Sequence, residues 1–381
     1  MKQTVIVLGS TGSIGKQTLD VLQMHRDRFT LLGIAADRDS ELLRFQAAQW
    51  KPSFVACRQK ADRSAYPDQT ELLTGSDAAQ RLAAIPCDIV VLAISGFAAL
   101  KPLLAAIPNG KRIAIANKES LVCGGELVQE ALNRSGAELV PIDSEQSALF
   151  QCLQNGRKSE VRRLILTASG GPFFRKTREE CKDVSMDQVL KHPTWSMGRK
   201  ITLDSATLFN KGLEVIEASR LFGFGPDAID VLIHPQSIVH SMVEYCDGSI
   251  IANLAVPDMR LPIQYALTYP ERIASSANAL NLAATHDLTF YAADRERFVA
   301  LQLAYDALSS EGGCPIVYNG ANEQAAAFYF EQAIGFLDIE ACVQEALAAY
   351  APHPIQSIEE IFSVDAQARA SVRHFVERMK R

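Results

Sequence analysis

The chain is poor in the residues that mark specialised scaffolds. Among 381 residues there are two tryptophans and seven histidines, and the eight cysteines (Cys57, Cys87, Cys123, Cys152, Cys181, Cys246, Cys314 and Cys342) include no C-x-x-C pair. That spacing excludes a zinc ribbon and a disulfide framework, and reduced thiols packed among apolar residues are expected. No run of about 18 apolar residues occurs, as a membrane-spanning helix requires; the longest apolar stretch, Ile89–Leu100, ends at Lys101-Pro102. Met1-Lys2-Gln3 leads straight into a strand pattern, so no signal peptide and a cytoplasmic location are expected. A basic excess is missing as well: the net charge of −6 argues against nucleic acid as the main partner. What remains, 48% hydrophobic and 22% charged residues, is an ordinary globular composition, and the length suggests roughly two or three domains.

The most informative run is Gly9-Ser10-Thr11-Gly12-Ser13-Ile14-Gly15. It follows the β-branched stretch Val5–Leu8, a buried-strand pattern, and precedes helical spacing at Ile14, Thr18, Val21 and Leu22. A glycine turn between strand and helix lets backbone N–H groups approach a phosphate at a helix N-terminus. The G-x-x-G-x-x-G spacing is a variant of the dinucleotide fingerprint, and the context predicts dinucleotide binding.

Three parts are expected. Residues 1–150 alternate strands (Val5–Leu8, Thr30–Ala36, Phe54–Ala56, Ile89–Ile94, Ile113–Ala116, Leu139–Ile142) with helices (Glu41–Trp50, Asp77–Ala84, Phe97–Ile107, Leu127–Asn133), predicting an α/β, Rossmann-type, doubly wound parallel sheet with ligands at the strands' carboxyl ends. Residues 151–290 break this rhythm. They predict an α+β domain with strands at Leu164–Thr167, Val231–Ile233, Ile238–Tyr245 and Ile250–Val256, a hairpin at Asp247-Gly248 and a helix over Ser205–Leu221. Their polar, aperiodic stretch Arg175–Lys200 reads as part of a mobile lid spanning 169–199. Residues 291–381 predict a helical bundle from Arg295–Leu308, Ala321–Phe330, Ile339–Tyr350 and Val364–Met379.

Several polar clusters carry candidate chemistry. Asp143-Ser144-Glu145 follows a strand, where two carboxylates can bind one hard cation or simply cap the helix after them. In a single helix, Thr207, Asn210, Lys211 and Glu214 would share one face, suited to a phosphate and a cation, or equally to solvent. Thr167-Ala168-Ser169-Gly170-Gly171 is a second glycine turn after a strand. His192-Pro193-Thr194-Trp195 lies within the lid, and Asn117-Lys118-Glu119-Ser120 follows the strand Ile113–Ala116.

Taken with Val140–Glu145, the span Ser169–Glu214, Ile233-His234-Pro235-Gln236-Ser237, Pro257-Asp258-Met259-Arg260 and Asn319-Gly320-Ala321-Asn322-Glu323, these motifs resemble the 1-deoxy-D-xylulose 5-phosphate reductoisomerase family of the methylerythritol phosphate route to isoprenoids, over essentially the whole chain. The resemblance implies that Asp143, Glu145 and Glu214 hold one divalent cation (Mg²⁺, Mn²⁺ or Co²⁺). It implies that Ser169, Ser205, Asn210 and Lys211 bind the phosphate of a sugar substrate, and that Lys118, Ser144, Glu145, Glu214 and His192 contact the rest of it. Lys118, Glu145 and His192 would be catalytic, with Trp195 covering the substrate. Thr11, Gly12, Ser13, Ile14, Asn117, Glu119, Gly198 and Met259 would touch NADPH.

The family further implies a homodimer, joined through the middle domain. It also implies a rearrangement by retro-aldol cleavage and re-addition, followed by hydride transfer to give 2-C-methyl-D-erythritol 4-phosphate. One turn departs from the family's usual Gly-Lys-Asn-like pattern: Asp37-Arg38-Asp39 keeps a cation but places an acid where NADH is ordinarily read. NADPH is the expected cofactor all the same.

Two rivals are weighed. A short-chain dehydrogenase needs Tyr-x-x-x-Lys, and none of the nine tyrosines has lysine four residues on. A non-catalytic NADP-binding sensor has no use for three carboxylates and a tryptophan-bearing lid.

Overall fold

The computed structural model describes residues 1–191, 198–285 and 287–380. Two compact units emerge: Met1–Leu121, Val128–Phe150 and Asp258–Asn278 form the first, and Val122–Leu127, Gln151–Pro257 and Ala279–Arg381 the second.

The first unit is built on a parallel sheet of seven strands: β1 (Gln3–Leu8), β2 (Phe29–Ala36), β3 (Phe54–Cys57), β4 (Glu71–Thr74), β5 (Cys87–Leu92), β6 (Gly110–Ile115) and β7 (Glu138–Pro141). Their order is β4-β3-β2-β1-β5-β6-β7, so the winding reverses between β1 and β5. Reversal opens a crevice at the carboxyl ends, and the turn after β1 stands there. Val5, Ile6, Val7 and Leu8 are fully buried, as expected of a strand covered on both faces.

The helices of this unit are α1 (Ser13–Met24), α2 (Glu41–Trp50), α3 (Ala78–Ala83), α4 (Leu100–Ala106), α5 (Glu119–Ser135) and α6 (Ser144–Cys152). Ser40 caps α2, its hydroxyl accepting from the Leu43 N–H at 3.2 Å. The sequence reading gave α5 only its second half, Leu127–Asn133. Gly125 does leave helical geometry, at φ +40°, but the helix resumes at once. Residues 258–278, expected in the middle part, pack with the first sheet instead, placing Ile263, Ala266 and Leu267 in the core with Val5, Val7 and Ile89.

In the second unit, β8 (Val161–Ala168), β9 (Ile229–Ile233), β10 (Val239–Tyr245), β11 (Ile250–Leu254) and β12 (Tyr291–Ala292) form a mixed sheet in the order β11-β10-β8-β9-β12. The antiparallel hairpin β10–β11 turns at Asp247-Gly248, where Gly248 has φ +87°. The helices α7 (Met186–Val189), α8 (Arg199–Thr207), α9 (Phe209–Phe222), α10 (Arg260–Thr268, in the first unit), α11 (Val299–Ser310), α12 (Cys314–Phe330), α13 (Asp338–Ala348) and α14 (Ile358–Met379) complete the order. Helix α12 is buried along most of its length and packs against α11, α13 and α14, giving the helical region its centre.

Among the described residues no helix is long and apolar enough to cross a membrane. Seven cysteines are buried and Cys246 is exposed; burial pushes the Cys87 thiol up to about 11 and Cys342 up to about 12. Those two are inert packing groups at neutral pH.

Two buried histidines brace the second sheet. His234 donates from Nδ1 to the Thr289 carbonyl at 2.9 Å, and its Nε2 accepts from the Ile238 and Val239 N–H groups, each at 3.2 Å. His240 is buried as well, and desolvation pulls its pKa from 6.5 down to about 4. The folded chain therefore holds His240 neutral while the unfolded chain protonates it. Its contribution to stability is complete above pH 6.5 and is lost as pH falls towards 4. In a His240→Gln variant the shortfall in urea midpoint at pH 7.5 is expected to shrink at pH 5; an unchanged gap would remove His240 from the acid sensitivity.

Candidate active site

The first unit carries a candidate nucleotide half-site. At the end of β1 the Gly9 and Ser10 N–H groups both donate to the Ala35 carbonyl at 2.9 Å, and Gly12 N–H returns to the Gly9 carbonyl at 3.1 Å. Ser10 is locked from behind: its hydroxyl donates to Gln46 Oε1 at 2.8 Å and its carbonyl accepts from Gln46 Nε2 at 2.9 Å. Helix α1 starts at Ser13 with no side-chain cap, so its first N–H groups point out of the turn beside Thr11, Gly12 and Ser13. A Cβ on Gly15 would strike the Gly9 carbonyl and the Ser10 backbone. The third glycine thus lets the helix press against the turn, which shapes a cradle fit for a pyrophosphate.

The turn after β2 is charged. Asp37 takes one edge of a guanidinium with both of its oxygens, pairing through Oδ1 with Arg58 Nε and through Oδ2 with Arg58 Nη2 at 3.2 Å. Arg38 lies alongside, its Nε 3.6 Å from Asp37, with 78% of its side chain exposed. Asp39 turns inward: it accepts from Arg44 at 2.8 and 2.7 Å, from Tyr66 Oη at 2.7 Å and from the Asp62 N–H at 3.1 Å. Arg44 and these further donors hold its carboxyl well below the usual range. Asp39 fixes the loop, and its charge is spent inside it.

The strand ends of β5 and β6 are tied by Asn117 and Glu119. Asn117 donates to the Gly96 carbonyl at 3.0 Å and to Glu119 at 2.7 Å, and Glu119 accepts from the Gly96 N–H at 3.2 Å. Lys118, 6% exposed, sends its ammonium to Asp143 at 2.9 Å. After β7, Asp143 also reaches the Gln146 N–H at 3.5 Å, the helix-capping role open to it, while the Ser144 hydroxyl donates to Glu145 at 2.6 Å. Met259 packs on the first core.

The second unit carries a candidate anion half-site. Gly170 and Gly171, at φ +80° and +63°, turn the chain sharply after β8. A Cβ on Gly171 would lie 2.7 Å from the Ser205 carbonyl, so the turn lies flat on α8 and brings Ser169 beside Ser205. Gly198 is the N-cap of α8. The expected single helix over Ser205–Leu221 is two helices, broken at Leu208 with φ +62°. Thr207 therefore ends α8 and leaves the face that Asn210, Lys211 and Glu214 share at the start of α9. Asn210 Nδ2 donates to Glu214 Oε1 at 2.5 Å, and Lys211 pairs with the other Glu214 oxygen, both charges almost wholly buried. This face is interior, so a solvated-face account of it is excluded.

Two residues without a role in the sequence reading support this half. Asp204, 4% exposed, pairs with Lys200 and accepts from Asn322 Nδ2 of α12 at 3.1 Å. That holds α8 one residue before Ser205. Two asparagines, Asn319 and Asn322, among the apolar residues of the buried side of α12 were the available signal. His192 and Trp195 lie outside the described residues.

A glycine-turn parallel sheet with a buried lysine–carboxylate pair at its carboxyl edge, together with a buried group of hydroxyl, amide and ammonium donors in the second unit, fits a dinucleotide-dependent oxidoreductase. Residues 5–125 match the family model for 1-deoxy-D-xylulose 5-phosphate reductoisomerase, 139–222 that for its C-terminal domain, and 254–371 a further model described as the DXP reductoisomerase C-terminal domain. The 1-deoxy-D-xylulose 5-phosphate reductoisomerase of Chlorobium chlorochromatii is 50% identical over 376 residues, covering 97% of this chain and 98% of that one. The enzyme of Shouchella clausii is 49% identical over 375 residues, covering 97% and 99%.

Among solved structures, the Zymomonas mobilis reductoisomerase in complex with NADPH is 41% identical, covers 99% of this chain and 100% of its own, and superposes with a TM-score of 0.92. A DOX-P reductoisomerase in complex with NADPH, fosmidomycin and magnesium is 35% identical, with coverages of 100% and 99% and a TM-score of 0.91. The chain belongs to the 1-deoxy-D-xylulose 5-phosphate reductoisomerase family.

Proposed function

We propose that this chain converts 1-deoxy-D-xylulose 5-phosphate to 2-C-methyl-D-erythritol 4-phosphate, using NADPH and one divalent cation. The observation that carries this reading is the 50% identity to a reductoisomerase across 97% of the chain, which includes both half-sites. Incubation with substrate, NADPH and Mg²⁺, followed by mass-spectrometric and NMR identification of the product, tests it. Substrate recovered unchanged would refute it and favour a non-catalytic nucleotide-binding role.

The roles assigned are these. Thr11, Gly12, Ser13 and Ile14 hold the pyrophosphate of NADPH, Arg38 its 2′-phosphate, and Asn117, Glu119, Gly198 and Met259 the remainder. Ser169, Ser205, Asn210 and Lys211 donate to the substrate phosphate, for which a buried ammonium beside an amide is well suited. Asp143, Glu145 and Glu214 offer hard carboxylate oxygens, the donor type that magnesium and manganese prefer. When bound, the cation supplies Lewis-acid polarisation of the ketone and its neighbouring hydroxyl, and NADPH supplies the hydride. Lys118, Ser144, Glu145 and His192 orient the substrate oxygens, and Trp195 excludes water over them.

A homodimer, a cytoplasmic location and a three-part organisation (1–150, 151–290 and 291–381, with 258–278 joined to the first part) belong to the same reading. So does the 169–199 lid, with a refinement of where it moves. Its first third is anchored within the second unit: Phe173 packs on Phe336 at 5.4 Å and its carbonyl accepts from Arg297, while Arg178 reaches the buried Glu340 at 2.5 Å. Motion is therefore assigned, among the described residues, to 182–191. Trypsin is expected to cut at Lys182 and Lys191 in the free enzyme, with protection by NADPH, Mg²⁺ and a phosphonate substrate mimic, and to spare Arg178 in both states. Equal cutting at Lys191 with and without ligands would contradict the lid.

A further inference from the structure

We infer that Arg58, at the end of β3, is the residue that turns the loop after β2 into a 2′-phosphate reader, by occupying Asp37 and standing beside Arg38 as a second cation. The inference rests on the proposal that NADPH is the reductant. In doubly wound sheets an acid at the end of this strand accepts the ribose 2′-hydroxyl and favours the nucleotide without a 2′-phosphate. Asp37 holds that position, directly after Ala36. Left alone, its carboxylate would repel a phosphate dianion.

Arg58 cancels that effect through a short, rigid connection. Its own N–H donates to the Ala36 carbonyl at 3.3 Å, and the Gln59 N–H donates to the Asp37 carbonyl at 3.2 Å, so the chain leaving β3 is stitched to the turn leaving β2. From there the guanidinium grips both Asp37 oxygens through Nε and Nη2. A guanidinium has five N–H donors in a plane, so Nη1 and the second Nη2 hydrogen remain for an anion. Arg38 stands 3.6 Å from the same carboxylate. Asp39 adds no countercharge, being paired with Arg44 and Tyr66. Two cations against one engaged carboxylate leave the turn with a net charge of +1, on side chains 53–78% exposed and open to a ligand. The depressed pKa of Asp37, caused first by its bond to Arg58, agrees with this pairing.

The test is equilibrium binding of NADPH and NADH, each followed by nucleotide fluorescence, to the full-length wild type and to Arg58→Ala, Arg58→Lys and Arg58→Ala/Asp37→Ala. The wild type should bind NADPH more tightly than NADH; the opposite preference would refute the NADPH reading itself. Arg58→Ala should weaken NADPH by about 10- to 100-fold, the usual worth of charge-assisted hydrogen bonds, while NADH weakens less than about threefold or tightens, because Asp37 is released towards the 2′-hydroxyl. Removing Asp37 as well should restore part of the NADPH affinity, and lysine should rescue only partly because it cannot grip in two places. Equal weakening of both nucleotides by Arg58→Ala, or no weakening of either, would overturn the inference. Arg58 is half-exposed, so melting temperatures close to wild type are expected and serve as the folding control.

Discussion

Replacing Glu214 by glutamine is expected to lower kcat/KM by roughly 10²- to 10⁴-fold at limiting Mn²⁺, with part of the loss recovered at high metal concentration. A neutral amide is a poorer ligand for a hard ion, and a cation engaged in Lewis-acid chemistry is worth several kcal/mol of barrier. The structure adds a second consequence that residue type alone did not reveal. Glu214 and Lys211 form an ion pair with side chains 1% and 4% exposed, so glutamine also breaks a buried ion pair. Breaking such a pair costs up to about 3–5 kcal/mol. The double variant Glu214→Gln/Lys211→Met should regain much of the stability and none of the activity. Mn²⁺ affinity, read by electron paramagnetic resonance, separates the effects: an undiminished affinity in Glu214→Gln would remove this carboxylate from the metal site.

Gly15→Ala should be the most damaging single-atom-scale change in the nucleotide half, with NADPH binding weakened by about 10²-fold or more. The new methyl group meets the Gly9 carbonyl and the Ser10 backbone, which cannot swing aside as a side-chain tip can. Either α1 or the turn must shift, and a displacement near 1 Å at a binding loop carries losses of that order. Gly12→Ala is the internal control. Its φ of −72° suits any residue, and the added Cβ would lie 3.3 Å from the Gly9 carbonyl, so a change of only a few-fold is expected. Equal losses in the two variants would show that the fit of helix against turn is not what the third glycine provides.

Where one strand or helix carried its own signal, the sequence was easily read. Val5–Leu8 and Ile89–Leu92 are β-branched runs buried on both faces, and Ser40 announces the helix Glu41–Trp50. The strand Glu71–Thr74 was missed because it is a four-residue edge strand, half-exposed, with no apolar run. The break at Leu208 had no glycine or proline to mark it. A leucine held at φ +62° and 2% exposed is a product of packing, invisible to local propensity. In contrast, helix α10 did carry a signal, the spacing of Ile263, Ala266 and Leu267, and it went unread.

The candidate site divides in the same way. Ser169 and Ser205 were named from motif resemblance, while their juxtaposition follows from a glycine turn lying flat on a helix. The Asp37–Arg58 pair joins residues 21 apart in sequence whose meeting depends on β2 and β3 being neighbours in the sheet. Reading residues one at a time makes Asp37 an argument for NADH; its partner reverses that argument.

The central claim, that the chain is a metal-dependent reductoisomerase, is tested most directly by NADPH oxidation on adding 1-deoxy-D-xylulose 5-phosphate, measured before chelation, after EDTA treatment and after returning Mg²⁺ or Mn²⁺. The account predicts substrate-dependent oxidation that chelation abolishes and either ion restores, with one NADPH consumed per 2-C-methyl-D-erythritol 4-phosphate formed. Oxidation that persists at full rate in chelator, or none in the presence of substrate and metal, would contradict it.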